Sequence, residues 1–293
     1  MFIDIHGHTF SFNDPRSRKL TNLLGPEELI AAWPEWEIEQ AVLLPIVHHE
    51  CGIALQTNEN VIDICNAFPG KFIFFCNLDP RYNHNSPATD FTPVLEHYQA
   101  MGCQGVGEMC ASLAWDDPRM LNMLGHIEKA GLPLLFHVGL AEGTYGVVDE
   151  PGLPKLEYVL QRFPKLNFLG HSMAVWSAIS GDVTAEDWLG YPTGPVTEGG
   201  RLVELLRRYP NFHGDISAGS GNNALTRDPQ FGYWFMEEFQ DQLLYGSDLC
   251  WPDQQVPQTA TLKNALAAGK ISQAAFDKIG RGNAERLLGL DLL

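Results

Sequence analysis

The stretch Met1-Phe2-Ile3-Asp4-Ile5-His6-Gly7-His8 decides how the rest of the chain is read. It is a short apolar strand closing in His-Gly-His. Side chains on a strand alternate between faces, so His6 and His8 point the same way, with imidazoles near enough to share one ion. Neutral imidazole suits divalent transition metals, and two on a rigid strand form half of a tetrahedral site. With 10 His in 293 residues, chance supplies about one third of a His-x-His pair, so spacing alone is only suggestive. Position adds the weight: later strands also end in His, Glu or Asp.

Working outward, strand-like runs alternate with helical patterns along the chain. The second strand is expected at Ala41 to Val47 (AVLLPIV), ending at His48 and His49, and the third at Lys71 to Leu78 (KFIFFCNL). The fourth is Gln104 to Met109, carrying Glu108, and the fifth is Leu132 to Val138, carrying His137. The sixth is Leu166 to Gly170, followed by His171; the seventh is Asn211 to Ser217; the eighth is Leu243 to Gly246, with Asp248 just beyond. Helical patterns fall at Pro26 to Trp33, Asn58 to Phe68, Pro154 to Phe163, Arg201 to Tyr209 and Gln258 to Ala268. One more runs from Ser272 to Leu288, with breaks at Gly280 and Gly282. Asp117 as N-cap and Pro118 at the first position open a further helix that closes at Gly131. The Gly-, Pro- and Thr-rich segment from Ser172 to Gly200 has the length of a functional loop or cover.

Eight strands that look buried on both faces, alternating with helices and uninterrupted by a linker, predict one (β/α)8 TIM barrel over residues 1–293. The rival is an open doubly wound sheet, but no Gly-x-Gly-x-x-Gly follows the first strand.

A net charge of −17 repels phosphate backbones and anionic membranes. The only basic cluster, Arg16, Arg18 and Lys19, falls in an expected loop. Six cysteines without Cys-x-x-Cys spacing read as reduced, mostly buried thiols of an intracellular protein. The absence of a secretory pattern and of any apolar run of 18 residues adds the expectation of a cytoplasmic protein without a membrane span. The partner expected is therefore a small-molecule substrate rather than nucleic acid or membrane, and a homo-oligomer is compatible with the sequence.

In a barrel the C-terminal strand ends converge on one face, where the active sites of this architecture are built. That places His6, His8, Glu108, His137, His171 and Asp248 together as candidate metal ligands, with Asp248 and His171 also as catalytic acid/base candidates. Asn77, His48 and Trp251 are candidate substrate contacts. Trp115, Trp176 and Trp188 are weaker candidates to wall a pocket, and Arg16, Arg81 and Arg227 to clamp a carboxylate. His213, Asp215 and Ser217 alternate on one face of the seventh strand and read either as supports behind the ligands or as a structural network.

With these residues in view, the sequence resembles the amidohydrolase superfamily, in particular amidohydrolase family 2 with its aminocarboxymuconate-semialdehyde decarboxylase relatives. The HGH start, His137, His171, the Gly246-Ser247-Asp248 segment and the tail Gly282-Asn283-Ala284-Glu285-Arg286-Leu287-Leu288 carry the resemblance over essentially the whole chain. It implies His6, His8 and His137 as metal ligands and Asp248 as ligand or base. It implies His171 as a second-metal ligand or acid/base. Glu108 departs from the decarboxylase pattern and is similar to the carboxylate by which TatD-type relatives hold a second ion. No Lys closes a strand near the fifth.

The expected cofactor is a divalent metal, one or two ions, with Zn²⁺ the leading candidate. Such an ion with an open position lowers the pKa of a water to about 7. The leading expectation is a metal-dependent hydrolase acting on a C–N or C–O bond of a small, carboxylated or cyclic substrate. A non-oxidative decarboxylase is the alternative; a TatD-like nuclease is a third reading, opposed by the charge balance.

Overall fold

Strand β1 (Phe2–Gly7) is buried along its whole length and forms the seam at which the sheet closes. The chain is described as a computed structural model over residues 1–10, 22–51, 55–139 and 145–290. β1 pairs in parallel with β2 (Ile38–Leu43), and β2 with β3 (Phe72–Phe74). A parallel bridge between Cys76 and Val106 joins β3 to β4 (Val106–Met109). The ladder continues through β5 (Leu134–Gly139), β6 (Phe168–His171), β7 (Phe212–Asp215) and β8 (Leu243–Leu244). Beyond β8, Leu249 bridges to Gly7, and the Ile5 amide donates to the Tyr245 carbonyl at 3.1 Å. Eight parallel strands thus close on themselves as a (β/α)8 barrel.

Two apolar layers hold it. Ile3, Ile5, Val42, Leu44, Ile73, Phe75, Leu135, Leu169 and Leu244 form one cluster. Leu135 and Leu169 lie two residues before His137 and His171 and therefore face the same way, so this cluster is the barrel interior beneath the site. The larger cluster, with Phe2, Leu43, Phe74, Met109, Phe136, Phe168 and Phe212, lies between the strands and the surrounding helices.

Several element bounds differ from the sequence reading. β2 stops at Leu43, before Pro45, because Ile46 leaves the barrel to pair antiparallel with Gln56 through hydrogen bonds of 3.0 and 2.8 Å. β3 and β8 shorten to Phe72–Phe74 and Leu243–Leu244. An additional two-residue strand, Val147–Val148, pairs with β5. Helices Ala218–Thr226 and Pro229–Glu238 fill the β7–β8 connection, where the sequence reading placed none. The run from Ser272 divides into Gln273–Asp277, a wider π turn at Lys278–Gly282 containing both expected break residues, and Asn283–Leu288.

Asp117 caps its helix by accepting from the Arg119 amide at 2.8 Å, and Gly131 ends it at φ 73°. No helix among the described residues is long and apolar enough to cross a membrane.

Candidate metal centre

The C-terminal barrel end gathers His6 and His8 from β1 with Glu108 from β4. His6 Nε2 and His8 Nε2 lie 3.2 Å apart. Glu108 Oε2 is 3.3 Å from His8 Nε2 and 3.7 Å from His6 Nε2. Asp248 Oδ1 completes the group at 3.6 Å from His6 Nε2 and 4.0 Å from His8 Nε2.

Four ligands tetrahedrally placed about 2.0–2.2 Å from one ion stand about 3.3–3.6 Å from each other. The five separations that involve His6 or His8, 3.2–4.0 Å, fall on that spacing or within about 0.4 Å of it.

The hydrogen bonds behind the histidines make the same point. His6 Nδ1 donates to Asp215 Oδ2 at 2.6 Å, and His8 Nδ1 donates to the Leu44 carbonyl at 3.2 Å. With both Nδ1 protons committed, both Nε2 atoms aim at one place beside two carboxylates, an arrangement that a shared proton or a metal cation relieves. The donor set therefore fits a divalent metal ion. Electrostatics agree: burial pulls the His6 pKa down, yet Asp215, Asp248 and Glu108 together push it well above the ordinary imidazole value. Burial likewise pushes Glu108 up, but the charge on His6 and the bonds from His137 and both opening histidines hold it well below the usual carboxylate range.

Asp215 sits beneath His6. It is fully buried, accepts from the Ser217 amide at 2.9 Å, and stands 3.4 Å from His171 Nδ1. Trp176 Nε1 donates to the Asp215 carbonyl at 2.8 Å. Burial raises the Asp215 pKa, but His6 and His171 outweigh it and keep the group ionised. Ser217 Oγ lies 2.9 Å from His171 Nδ1 and 3.3 Å from His6 Nδ1. Gly246 is where β8 passes this network: a Cβ there would stand 2.4 Å from Asp215 Oδ1 and 2.8 Å from Ser217 Cβ.

Asp248 adopts φ 54°, a left-handed conformation uncommon for Asp. Its amide donates to the His6 carbonyl at 2.9 Å, and Gln254 Nε2 donates to its carbonyl at 2.6 Å, so both sides of the strained residue are clamped. Asp4 ties the two ends of the barrel seam. It accepts from the His6 amide at 2.9 Å and the Ser247 amide at 2.8 Å, and also from Ser247 Oγ.

Two groupings of donor atoms lie close enough to share an ion, His6 with His8 and Asp248, and His6 with Glu108 and His171, each within 4.8 Å. His137 belongs to neither. Its Nδ1 lies 3.0 Å from Glu108 Oε1 and 2.8 Å from Tyr145 Oη. Because Glu108 is ionised, the imidazole must donate there, which leaves its Nε2 lone pair free. Burial depresses the His137 pKa. The His137 and His171 rings, partners in the β5–β6 register, are 5.3 Å apart.

The proposed substrate contacts fare differently. Asn77 is buried and consumed by the scaffold: its Nδ2 donates to the Pro45 and Glu108 carbonyls at 3.0 and 2.7 Å, and its Oδ1 accepts from the Leu78 amide at 3.0 Å. It steadies Glu108 through that residue's carbonyl. His48 is wholly buried, its Nδ1 3.4 Å from the Cys110 amide. Trp251 is 46% exposed in the loop after β8 and remains available at the mouth.

Trp115, Trp176 and Trp188 are buried in the core, where flat apolar rings fill the layer between strands and helices; Trp188 also lines a small hollow with Ala178, Val183 and Arg201. Arg81 is committed to Asp79 and Glu50, with bonds of 2.6–3.0 Å. Arg227 follows the helix Ala218–Thr226, with Asp182, Asp187 and Asp228 as its charged surroundings, an unfavourable setting for a carboxylate. Arg16 lies outside the described residues. His213 turns away from Asp215 and Ser217, its Nε2 3.3 Å from Asn167 Oδ1.

Tyr145 and Asp4 escaped the sequence reading. Asp4 had a signal, an acid between Ile3 and Ile5; Tyr145 had none.

Fold and site together define a (β/α)8 barrel with a candidate metal centre at the C-terminal end of its strands. The family model described as amidohydrolase matches residues 46–290, and the chain belongs to that family. The match begins beyond His6 and His8, whose case rests on the geometry above. No curated protein matches the chain.

Among solved structures, an uncharacterised TIM-barrel protein of Bordetella bronchiseptica is similar at TM-score 0.65 and 19% identity, covering 98% of both chains. A 2,6-dihydroxybenzoate decarboxylase from Rhizobium is similar at TM-score 0.58 and 16% identity, covering 99% of both. An amidohydrolase from Burkholderia multivorans with bound zinc is similar at TM-score 0.57 and 14% identity, covering 99% of both.

Proposed function

We propose that the chain is a single-domain cytoplasmic hydrolase that uses one or two divalent ions, Zn²⁺ foremost, on a C–N or C–O bond of a small carboxylated or cyclic substrate. The observation that carries this reading is the pairing of His6 Nε2 with His8 Nε2 at 3.2 Å, with Glu108 Oε2 and Asp248 Oδ1 each within 3.3–4.0 Å of both nitrogens. An ion held there supplies Lewis acidity toward a carbonyl and lowers the pKa of water to about 7.

The protein's own groups do the rest. Asp215 and the Leu44 carbonyl fix the tautomers of His6 and His8, so that both Nε2 lone pairs face the ion. His137 and Asn77 hold Glu108 from two sides, by carboxylate and by carbonyl. Asp248, partly exposed at the mouth, accepts the proton from the attacking water and passes it to the leaving nitrogen or oxygen. His171, held at Nδ1 by Ser217 and Asp215, presents its other nitrogen to negative charge developing on the substrate. Trp251 offers an apolar contact at the entrance.

Non-oxidative decarboxylation is the second reading, favoured by the likeness to the Rhizobium decarboxylase. Incubation of the zinc-loaded protein with a panel of carboxylated lactones, amides and hydroxybenzoates in H₂¹⁸O, with ¹⁸O read in the organic product, separates them. Label in the product supports hydrolysis; released CO₂ without label incorporation supports decarboxylation and refutes the first reading.

A further inference from the structure

A second reactive cluster lies one residue beyond the strand that carries Glu108. His48 ties two cysteines together: its carbonyl accepts from the Cys51 amide at 3.1 Å, and its Nδ1 accepts from the Cys110 amide at 3.4 Å. Since Nδ1 accepts, the proton of the neutral ring is on Nε2, which is buried and has no hydrogen-bond partner. The Cys51 and Cys110 thiols face each other closely enough that each perturbs the other. No disulfide joins them. Cys51, on the single-turn helix His49–Cys51, is half-buried and reachable from solvent, whereas Cys110 is buried.

The remaining thiols are placed differently. Cys76 and Cys103 also touch, but both are buried, and Cys103 Sγ is engaged with the Cys76 amide at 3.2 Å and the Gly105 carbonyl at 3.0 Å. Burial alone pushes the Cys65 thiol up to about 12, the behaviour of an inert structural cysteine.

We propose that Cys51 and Cys110 are a dithiol that a small-molecule disulfide, such as oxidised glutathione, converts to an intramolecular disulfide beside the metal centre. Cys51 attacks one sulfur of the incoming disulfide, and the other sulfur leaves as a thiolate. Cys110 then attacks Cys51 Sγ, expelling the second external thiolate and releasing its own proton to solvent. Two protein thiols are oxidised to one disulfide, and one external disulfide is reduced to two thiols. Cys51 is suited to the first step because it is the half-buried, solvent-reachable thiol of the two, whereas Cys110 is buried behind it.

Closure has a consequence for the neighbouring site. A disulfide requires about 2.05 Å between sulfurs, so the backbone at Cys110 is drawn toward the His49–Cys51 turn. Glu108, two residues before Cys110, is displaced with it. This second step rests on the metal reading given above.

The zinc-loaded full chain is treated with oxidised glutathione, its free thiols are counted, and its peptides are mapped without reduction. The expected result is a fall from six titratable thiols to four, a Cys51–Cys110 linked peptide, and full recovery with dithiothreitol. In Cys51→Ser no linked peptide forms; in Cys110→Ser, Cys51 stops at the mixed disulfide with glutathione. Six thiols remaining in the wild-type chain, or a linkage between other cysteines, overturns the proposal. Chelator competition on the oxidised and reduced forms reads the coupling: oxidation is expected to weaken zinc binding by about tenfold or more, the range for disturbed support of a ligand. Equal affinities in the verified disulfide form overturn the coupling. Absence of zinc binding in both forms refutes the metal reading and leaves the thiol count and peptide map to decide the dithiol.

Discussion

Asp215→Asn isolates what the group beneath His6 does. In the wild-type chain one carboxylate oxygen accepts from His6 Nδ1 at 2.6 Å and the other accepts from the Ser217 amide at 2.9 Å. An Asn side chain has only one acceptor, so whichever way it is turned it presents its NH₂ to one of these two donors. The more tolerable outcome moves the His6 proton to Nε2, where it blocks the lone pair needed by the ion.

Loss of such support behind a metal-binding histidine costs about 10–100-fold in affinity, or about 1.4–2.7 kcal/mol at 1.36 kcal/mol per decade. The near isosteric volume and the preserved Trp176 bond to the backbone carbonyl leave the packing in place. Zinc affinity by chelator competition, with thermal unfolding of the metal-free protein as a control, measures the effect. An affinity within twofold of wild type refutes the assignment of Asp215 as the group that sets the His6 tautomer.

His6→Ala and Asp248→Asn are each expected to abolish turnover while circular dichroism stays that of the barrel; full activity in either contradicts the proposed roles. Gly246→Ala drives a methyl into Asp215 Oδ1 and Ser217 Cβ, with an expected cost of about 1–3 kcal/mol for overpacking and weaker zinc binding; an unchanged unfolding midpoint would show that β8 can retreat. His213 supplies a pH test. Burial, with Arg286 adding to it, lowers its pKa from 6.5 to about 3, so folding keeps it neutral. Its contribution to stability is complete above pH 6.5 and is lost as pH falls toward 3. His213→Gln should therefore lose less stability than wild type between pH 7 and pH 4 in urea unfolding, and equal losses would contradict this.

The barrel and the mouth residues were legible because strand alternation is a periodic signal and a parallel barrel forces all strand ends to one face. His6, Glu108, His171 and Asp248 could be placed together without knowing any loop. At β7 the same period put His213, Asp215 and Ser217 on one face but could not divide them: successive members stand about 6.6 Å apart along the strand, so Asp215 and Ser217 reach His6 and His171 while His213 meets Asn167.

Asn77 and His48 show a different limit. Polar residues at strand ends look like ligand contacts, yet backbone groups left unpaired where β2 and β4 end claim both side chains. Tyr145 reaches His137 across a connection that has no sequence period, so nothing announced it. β2 ended early because a pairing between Ile46 and Gln56, invisible in the apolar run AVLLPIV, turned the chain aside.

The most direct test of the metal site is a crystal structure of the zinc-soaked protein with anomalous scattering recorded at the zinc edge. The account predicts an ion about 2.0–2.2 Å from His6 Nε2 and His8 Nε2, with a carboxylate oxygen of Glu108 or Asp248 in its coordination sphere. Zinc held elsewhere, or none between those two nitrogens at full soak, contradicts it.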